Sequence, residues 1–323
     1  MFKPHALAFA AALLMTTPAT ASPASEDIAL KTPTGTLWGT LVAPPGADAA
    51  ALILPGSGPT DRNGNGPTIH PDSYKLIAEA LAGANIASLR IDKRGIGLSA
   101  AAMSAEQDLR IQTYSDDAKA WAADLKARTH AHCVWLIGHS EGALIAELAA
   151  QYNADICGLI LISGAGFKAG DVLRKQLGAT LPDPLKQQAF SALAELEAGR
   201  PVADPPPQLA ALFRPSVQPY LISWLALDPA ALLHDLKIPV LILQGDTDLQ
   251  ISVDDARRLA AARPDATLTI LPGVNHVLKT APADRAANIA TYNDPTLPLA
   301  PPVAAAITSF IKSHSHENRH LER

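Results

Sequence analysis

A serine set between two glycines is the residue of this chain best suited to act as a nucleophile. Gly138-His139-Ser140-Glu141-Gly142 has the G-x-S-x-G spacing of a nucleophile elbow. The flanking sequence strengthens the reading. The apolar run Val134 to Ile137 enters the motif as a strand, and Ala143 to Tyr152 leaves it as a helix. A turn that tight drives its central residue into sparsely allowed backbone space, and glycines on either side remove the Cβ atoms that would collide there. The serine oxygen is then exposed at the sheet edge, in front of a helix N-terminus that favours developing negative charge. A plain structural turn is the competing reading.

A serine hydroxyl needs a base to take its proton. Two histidines follow Ser140 before the C-terminal tail. His234 precedes a predicted strand and reads as a helix-surface residue. His276 follows the strand Thr267 to Leu271 through Pro272-Gly273-Val274-Asn275, which puts it at the same sheet edge as Ser140. His276 is the expected general base, and then the acid for the leaving group. A carboxylate should orient it from the loop after Leu241 to Leu243, Gln244-Gly245-Asp246-Thr247-Asp248, where two aspartates compete. Asp246, just past the glycine, is placed to bond the turn's own backbone. Asp248 reaches farther out. Asp254 and Asp255 are expected to cap or flank the next helix.

Acyl transfer also needs donors for the oxyanion. One should be the backbone N–H of Glu141, directly after the nucleophile. The other should come from the loop Pro55-Gly56-Ser57-Gly58-Pro59-Thr60-Asp61-Arg62-Asn63-Gly64-Asn65-Gly66, with the N–H of Ser57 as the choice. Alone, this loop could cradle phosphate, but it lacks a Gly-Lys-Ser/Thr ending and its glycine spacing does not fit the dinucleotide fingerprint. Asp61 and Arg62 read as loop-ordering residues, with an Asp61–Arg94 pair as an alternative.

The elements that must position these groups follow an alternating rhythm. Apolar runs at Ala50 to Leu54, Ile86 to Ile91, Val134 to Ile137, Ile156 to Ile162, Pro239 to Leu243 and Thr267 to Leu271 read as strands, preceded by a strand pair within Ile28 to Val42. Helices are expected at Tyr74 to Leu81, Asp116 to Arg128 with Ser115 as its cap, Val253 to Ala262 and Val303 to Ile311. This is an α/β fold with a mostly parallel sheet flanked by helices. Between residues 164 and 235 no strand is evident. Helical stretches such as Leu185 to Leu196 and Pro219 to Leu227, separated by breaks such as Pro205-Pro206-Pro207, read as a lid inserted into a core formed by 22–163 and 236–312. Phe190, Phe213, Tyr220 and Trp224 could shape a substrate pocket or pack the lid's own core.

With Ser140 in its elbow, His276, the Asp246/Asp248 loop and the Pro-Gly-Ser-Gly loop in place, the chain resembles the α/β-hydrolase superfamily. More narrowly, it is similar to bacterial exported esterases of the serine aminopeptidase-like branch. Gly-Ser-Gly-Pro-Thr-Asp-Arg, Asp92-Lys93-Arg94-Gly95 and Tyr292-Asn293-Asp294-Pro295 carry that narrower likeness. Pro55 stands where many members have His. The resemblance implies an α/β-hydrolase fold and Asp248 as the third member of the triad. It further implies cleavage of small-molecule carboxylic esters through an acyl-enzyme, with no metal and no organic cofactor. A peptidase or amidase with the same triad is the first alternative, and a binding module on a hydrolase scaffold the second. Ser140 argues against dehalogenase or epoxide hydrolase chemistry, which needs a carboxylate at the elbow.

Composition closes off other classes. A net charge of -5 leaves no basic surplus for nucleic acid. Lys3 and His5, the apolar run Ala6 to Met15 and the small-residue site Ala19-Thr20-Ala21 form a secretory signal pattern over residues 1–21. No other apolar run has the length of a membrane anchor. An exported, periplasmic or secreted, protein beginning near Ser22 is expected. Cys133 and Cys157 are the only cysteines and open neighbouring predicted strands. They permit one disulfide or remain two buried thiols. The polar tail 313–323, with His314, His316 and His320, reads as solvated rather than metal-binding.

Overall fold

The apolar runs expected to be buried strands form the centre of a single eight-stranded sheet. A computed structural model describes residues 24–321, and the expected export signal lies outside the described residues. The strands are β1 (Ser25–Thr32), β2 (Gly35–Val42), β3 (Ala49–Leu54), β4 (Ile86–Ile91), β5 (Val134–His139), β6 (Ile156–Ile162), β7 (Val240–Gly245) and β8 (Thr267–Leu271). Their order is β1-β2-β4-β3-β5-β6-β7-β8. β2 runs antiparallel to β1 and β4, and every pairing from β4 to β8 is parallel. β3 to β7 are apolar on both faces because helices cover both sides, which is why they read as unbroken apolar runs rather than alternating ones.

The helices are α1 (Ser73–Gly83), α2 (Ile111–Thr129), α3 (Glu141–Ala150), α4 (Ala169–Thr180), α5 (Leu185–Glu197), α6 (Ala210–Phe213), α7 (Gln218–Leu225), α8 (Pro229–Asp235), α9 (Val253–Ala262), α10 (Arg285–Ala290) and α11 (Pro301–Leu321). α1 and α11 cover one face of the sheet, with Ile77, Leu81, Ile307 and Ile311 packed on Ile53, Ile137 and Leu243. α2, α3, α8 and α9 cover the other, with Trp121, Ile145, Leu233 and Leu259 on Leu52, Leu136 and Leu161. Between β6 and β7 the chain is helical, and α4, α5 and α7 share a separate apolar core around Leu193, Phe213 and Leu221. No helix among the described residues is long and apolar enough to cross a membrane.

Two local expectations are corrected. Ser115 does not cap α2: the helix begins at Ile111, and Ser115 lies buried within it. Ile111 itself is fully buried, so the apolar face starts a turn earlier than the polar sequence suggested. The Ile111 N–H is met by the Ser223 hydroxyl of α7 at 2.9 Å, a partner supplied by the helical segment between β6 and β7. At the other end, the tail read as solvated is the continuation of α11, which runs to Leu321. Within it His314 is half-buried, its ring tilted against that of Phe310 with centroids 4.3 Å apart and edge-on to that of Trp135 at 6.1 Å.

Cys133 and Cys157 are bonded to each other. Adjacent parallel strands usually aim such side chains badly. Here the register shifts: Val134 faces Ile156 and Trp135 faces Gly158, so Cys157 is the extra residue of a bulge and is turned toward its partner.

Candidate active site

The elbow is built as its sequence requires. Ser140 has φ 55° and ψ −120°, left-handed space that costs an L-residue on the order of 1–3 kcal/mol. Surrounding contacts hold it there. The Ser140 N–H donates to Ile162 O (2.9 Å), and Ser140 O accepts from the Ala143 N–H (3.0 Å). Only glycine fits on either side. A Cβ on Gly138 would stand 2.2 Å from Gly142 O, and one on Gly142 would stand 2.3 Å from Leu54 O. The turn is therefore pressed between β3 and α3, with Ser140 at the C-terminal end of β5.

His276 and Asp248 are joined. The Nδ1–H of His276 donates to Asp248 Oδ2 at 2.8 Å. This fixes the tautomer and leaves the Nε2 lone pair free as a base. The other carboxylate oxygen of Asp248 accepts from the N–H groups of Gln250 (2.7 Å) and Ile251 (3.0 Å), and Gln244 Nε2 reaches Oδ2 at 3.3 Å. Burial pushes the Asp248 carboxyl upward, but the His276 imidazole and those two N–H groups outweigh it and hold the group below its ordinary range. His276 and Ser140 border one cavity of about 90 Å³. A second cavity of about 90 Å³ also borders Ser140, lined by Leu144 and by Phe167, Leu173 and Trp224 of the helical segment between β6 and β7. Of the four lid aromatics singled out from the sequence, only Trp224 faces this space. Phe213 belongs to the lid core, and Tyr220 packs on Tyr114 and Trp224.

The remaining acidic candidates divide as expected. Asp246 Oδ1 accepts from the Gly273 N–H (2.7 Å) and orders the turn. Asp255 forms a capping box with Ser252 at the start of α9. His234 is exposed at the end of α8. Asp61 orders its own loop through the N–H groups of Asn63 and Asn65 (2.8 and 2.9 Å). It does not pair with Arg94, whose guanidinium is bidentate to Asp117 (2.6 and 3.0 Å).

The residues expected to supply oxyanion donors flank Ser140. Ser57 lines both cavities, and a Cβ on Gly56 would lie 3.2 Å from Ser140 Cβ, so this loop is in contact with the elbow. Glu141 is the first residue of α3, where backbone N–H groups have no partner within the helix.

Several supports were not legible beforehand. Tyr74 accepts from the Gly56 N–H at 3.0 Å and lies 2.8 Å from His139 Nδ1, while His139 Nε2 lies 2.9 Å from the carbonyl oxygen of His276. A carbonyl only accepts, so the proton sits on Nε2, and Tyr74 donates to Nδ1. One chain of hydrogen bonds thus ties the Gly56-Ser57 loop to the loop that carries His276. Asn288 ties the Asp248 and His276 loops to each other: its Nδ2 donates to Thr247 O (2.9 Å), and its Oδ1 accepts from Asn275 (3.1 Å). Asn275 and Thr247 are the residues just before His276 and Asp248.

Burial pushes His139 down to about 3, reinforced by its neighbour His276. A depressed histidine weakens the fold in acid. The unfolded chain takes up a proton below the ordinary value near 6.5, which the folded chain refuses until about 3. Stability is expected to fall across that window by up to about 1.4 kcal/mol per pH unit on this account. A His139→Gln variant should show a shallower decline in Tm between about pH 7 and about pH 4 than the parent. Parallel curves would contradict the assignment.

A roomier cavity of about 250 Å³ lies at the opposite edge of the sheet, beside His130, His132 and Trp135. Its two cysteines are bonded to each other, so it holds no thiol nucleophile.

Solved structures share this architecture. Est1E from Butyrivibrio proteoclasticus superimposes with a TM-score of 0.57 at 16% identity, covering 89% of this chain and 98% of its own. The Pyrococcus furiosus esterase Pf2001 does so with a TM-score of 0.58 at 18% identity, covering 93% and 94%. At such identities the likeness is one of fold. In sequence, the chain is 26% identical over 236 residues to the esterase EstD of Thermotoga maritima, a match covering 71% of this chain. The chain spans 54%, about half, of that relative's length. A sequence profile of the alpha/beta hydrolase family matches residues 11–291, which contain the whole sheet, the elbow and the Asp248–His276 pair. The protein is a member of that family.

Proposed function

We propose that the protein is a serine hydrolase that cleaves small-molecule carboxylic esters through an acyl-enzyme. The observation that carries this reading is that His276, oriented by Asp248 at 2.8 Å, borders the same cavity as Ser140 on its strained elbow. In the first half-reaction the Ser140 hydroxyl attacks the ester carbonyl and gives its proton to His276 Nε2. The oxyanion that forms is met by the N–H groups of Glu141 and Ser57. His276 then passes the proton to the departing alkoxide. In the second half-reaction it takes a proton from water, which attacks the acyl group and releases the acid. Asp248 stays ionised throughout and stabilises the imidazolium.

The relatives named as esterases, EstD, Est1E and Pf2001, support ester rather than amide cleavage. The cavities support it as well. An aminopeptidase needs a carboxylate to receive the free α-ammonium of its substrate. Among the residues lining the two cavities only Glu141 is acidic, and its carboxylate is committed to Lys93. Export belongs to the same proposal, because the Cys133–Cys157 bond suits an oxidising compartment.

One experiment tests both parts. A series of p-nitrophenyl esters of increasing acyl length is assayed beside an aminoacyl p-nitroanilide, in the cytoplasmic and extracytoplasmic fractions of an expressing bacterium. Ester turnover well above amide turnover, found outside the cytoplasm, is the expected result. A preference for the aminoacyl amide would turn the reading into a peptidase, and activity confined to the cytoplasm would remove export.

A further inference from the structure

We propose that Lys93 is a positioning residue for the oxyanion hole, holding the Ser57 N–H in its working direction through the carbonyl of Gly56. The inference rests on the ester hydrolase reading above. Lys93 follows β4 and is almost fully buried. Its ammonium donates to Gly56 O at 2.6 Å and to Glu141 Oε1 at 3.2 Å, and it stands 5.1 Å from the centre of the Tyr114 ring. The two side chains of this ion pair are 4% and 3% exposed.

The peptide unit between Gly56 and Ser57 is planar, and the only cis bond among the described residues is Asp183–Pro184. In a trans unit the C=O and N–H point in opposite directions. Pinning Gly56 O inward on Lys93 therefore aims the Ser57 N–H the other way, toward the cavities that Ser57 shares with Ser140. The Gly56 N–H is already taken by Tyr74, whereas the Ser57 N–H makes no hydrogen bond among the described residues. The second anchor of Lys93 is the side chain of Glu141, the residue whose own N–H is the first donor. One buried ammonium thus sets the spacing between the two donor peptides. A buried ion pair is rarely kept for net stability, since apolar replacements of similar volume often serve as well. Geometry is the better reason for this one.

The test compares Lys93→Met, Lys93→Arg and the double variant Lys93→Met/Glu141→Met with the parent. Rates are taken per active site titrated with a fluorophosphonate, and the affinity of a trifluoromethyl ketone, which adds the serine to form a hemiketal oxyanion, is measured beside them. Lys93→Met should lower kcat by about 10- to 100-fold, short of the 10²–10³ that follows complete loss of one oxyanion donor. KM should stay within about threefold, and the ketone should weaken in proportion to kcat/KM. Lys93→Arg, which can still donate to Gly56 O, should recover part of the loss. The double variant removes the carboxylate that the single change leaves buried and unpaired, so its Tm should recover while its kcat stays low. It also carries the test if Lys93→Met does not fold. Recovery of kcat together with Tm in the double variant would overturn the proposal, because the lysine would then serve only to neutralise Glu141. An active parent with an unchanged kcat in Lys93→Met would overturn it too, leaving the hydrolase reading intact. A parent that neither takes the fluorophosphonate nor turns over esters would end both.

Discussion

Ser140→Ala is expected to reduce turnover of an activated ester by on the order of 10⁶-fold, the scale of losing the nucleophile from a serine triad. A residual rate over water, left by the oxyanion donors and binding, should remain. The fold should be unaffected. The Ser140 hydroxyl makes no hydrogen bond among the described residues that its loss would leave unpaired. Alanine also meets the same backbone demand at φ 55°, ψ −120° that serine already meets. The Tm should therefore match the parent within a degree or two, on the order of what a neutral surface change does. Fluorophosphonate labelling should vanish in the same variant. Activity within about tenfold of the parent, at matched purity, would remove Ser140 from the mechanism.

The second large effect separates two aspartates only two residues apart. Asp248→Asn should cost about 10⁴-fold in kcat. The asparagine amide can offer a donor to His276 Nδ1, moving the ring proton to Nε2 and leaving no lone pair to receive the serine proton. It would also weaken the acceptor that now takes the N–H groups of Gln250 and Ile251. Asp246→Asn keeps an oxygen for the Gly273 N–H, the bond that Asp246 makes at 2.7 Å. Its loss should be under about tenfold, with the cost appearing chiefly in stability, on the order of 1 kcal/mol. Kinetics of the two variants side by side decide the assignment, and an Asp246 variant that is the more damaged would reverse it.

What could be read beforehand follows from how local each signal is. The elbow was legible because strand, turn and helix are contiguous, and because the clash that demands Gly138 and Gly142 is set within one tight turn. That Ser140, Asp248 and His276 each follow a strand at one sheet edge was legible from the alternation of apolar runs and loops, whereas the choice of Asp248 over Asp246 leaned on the family resemblance. The supports were not legible. Lys93 serves Gly56 and Glu141, Tyr74 serves Gly56 and His139, and Asn288 serves Thr247 and Asn275. Each joins loops far apart in sequence, and a buried lysine or asparagine in a sequence looks like a solvated one until its partners are known. The start of α2 was not legible because the group that meets its first N–H, Ser223, lies far along the chain in α7. The aim of Cys157 depended on a register shift in β6, which composition and periodicity do not encode.

The bond between Cys133 and Cys157 bridges residues 24 apart in sequence. The stretch it closes holds β5, Ser140 and α3, the segment that carries the proposed nucleophile. A loop of that size restricts the unfolded chain by about 3.5 kcal/mol in the chain-entropy view. The tether therefore works as a stitch around the reactive turn: when heat or denaturant loosens the molecule, the two strands that frame the serine cannot drift apart, and recovery starts with that part already gathered. Thiol reductants should then be felt less in the rate of the resting enzyme than in how much of it survives a cycle of unfolding and return.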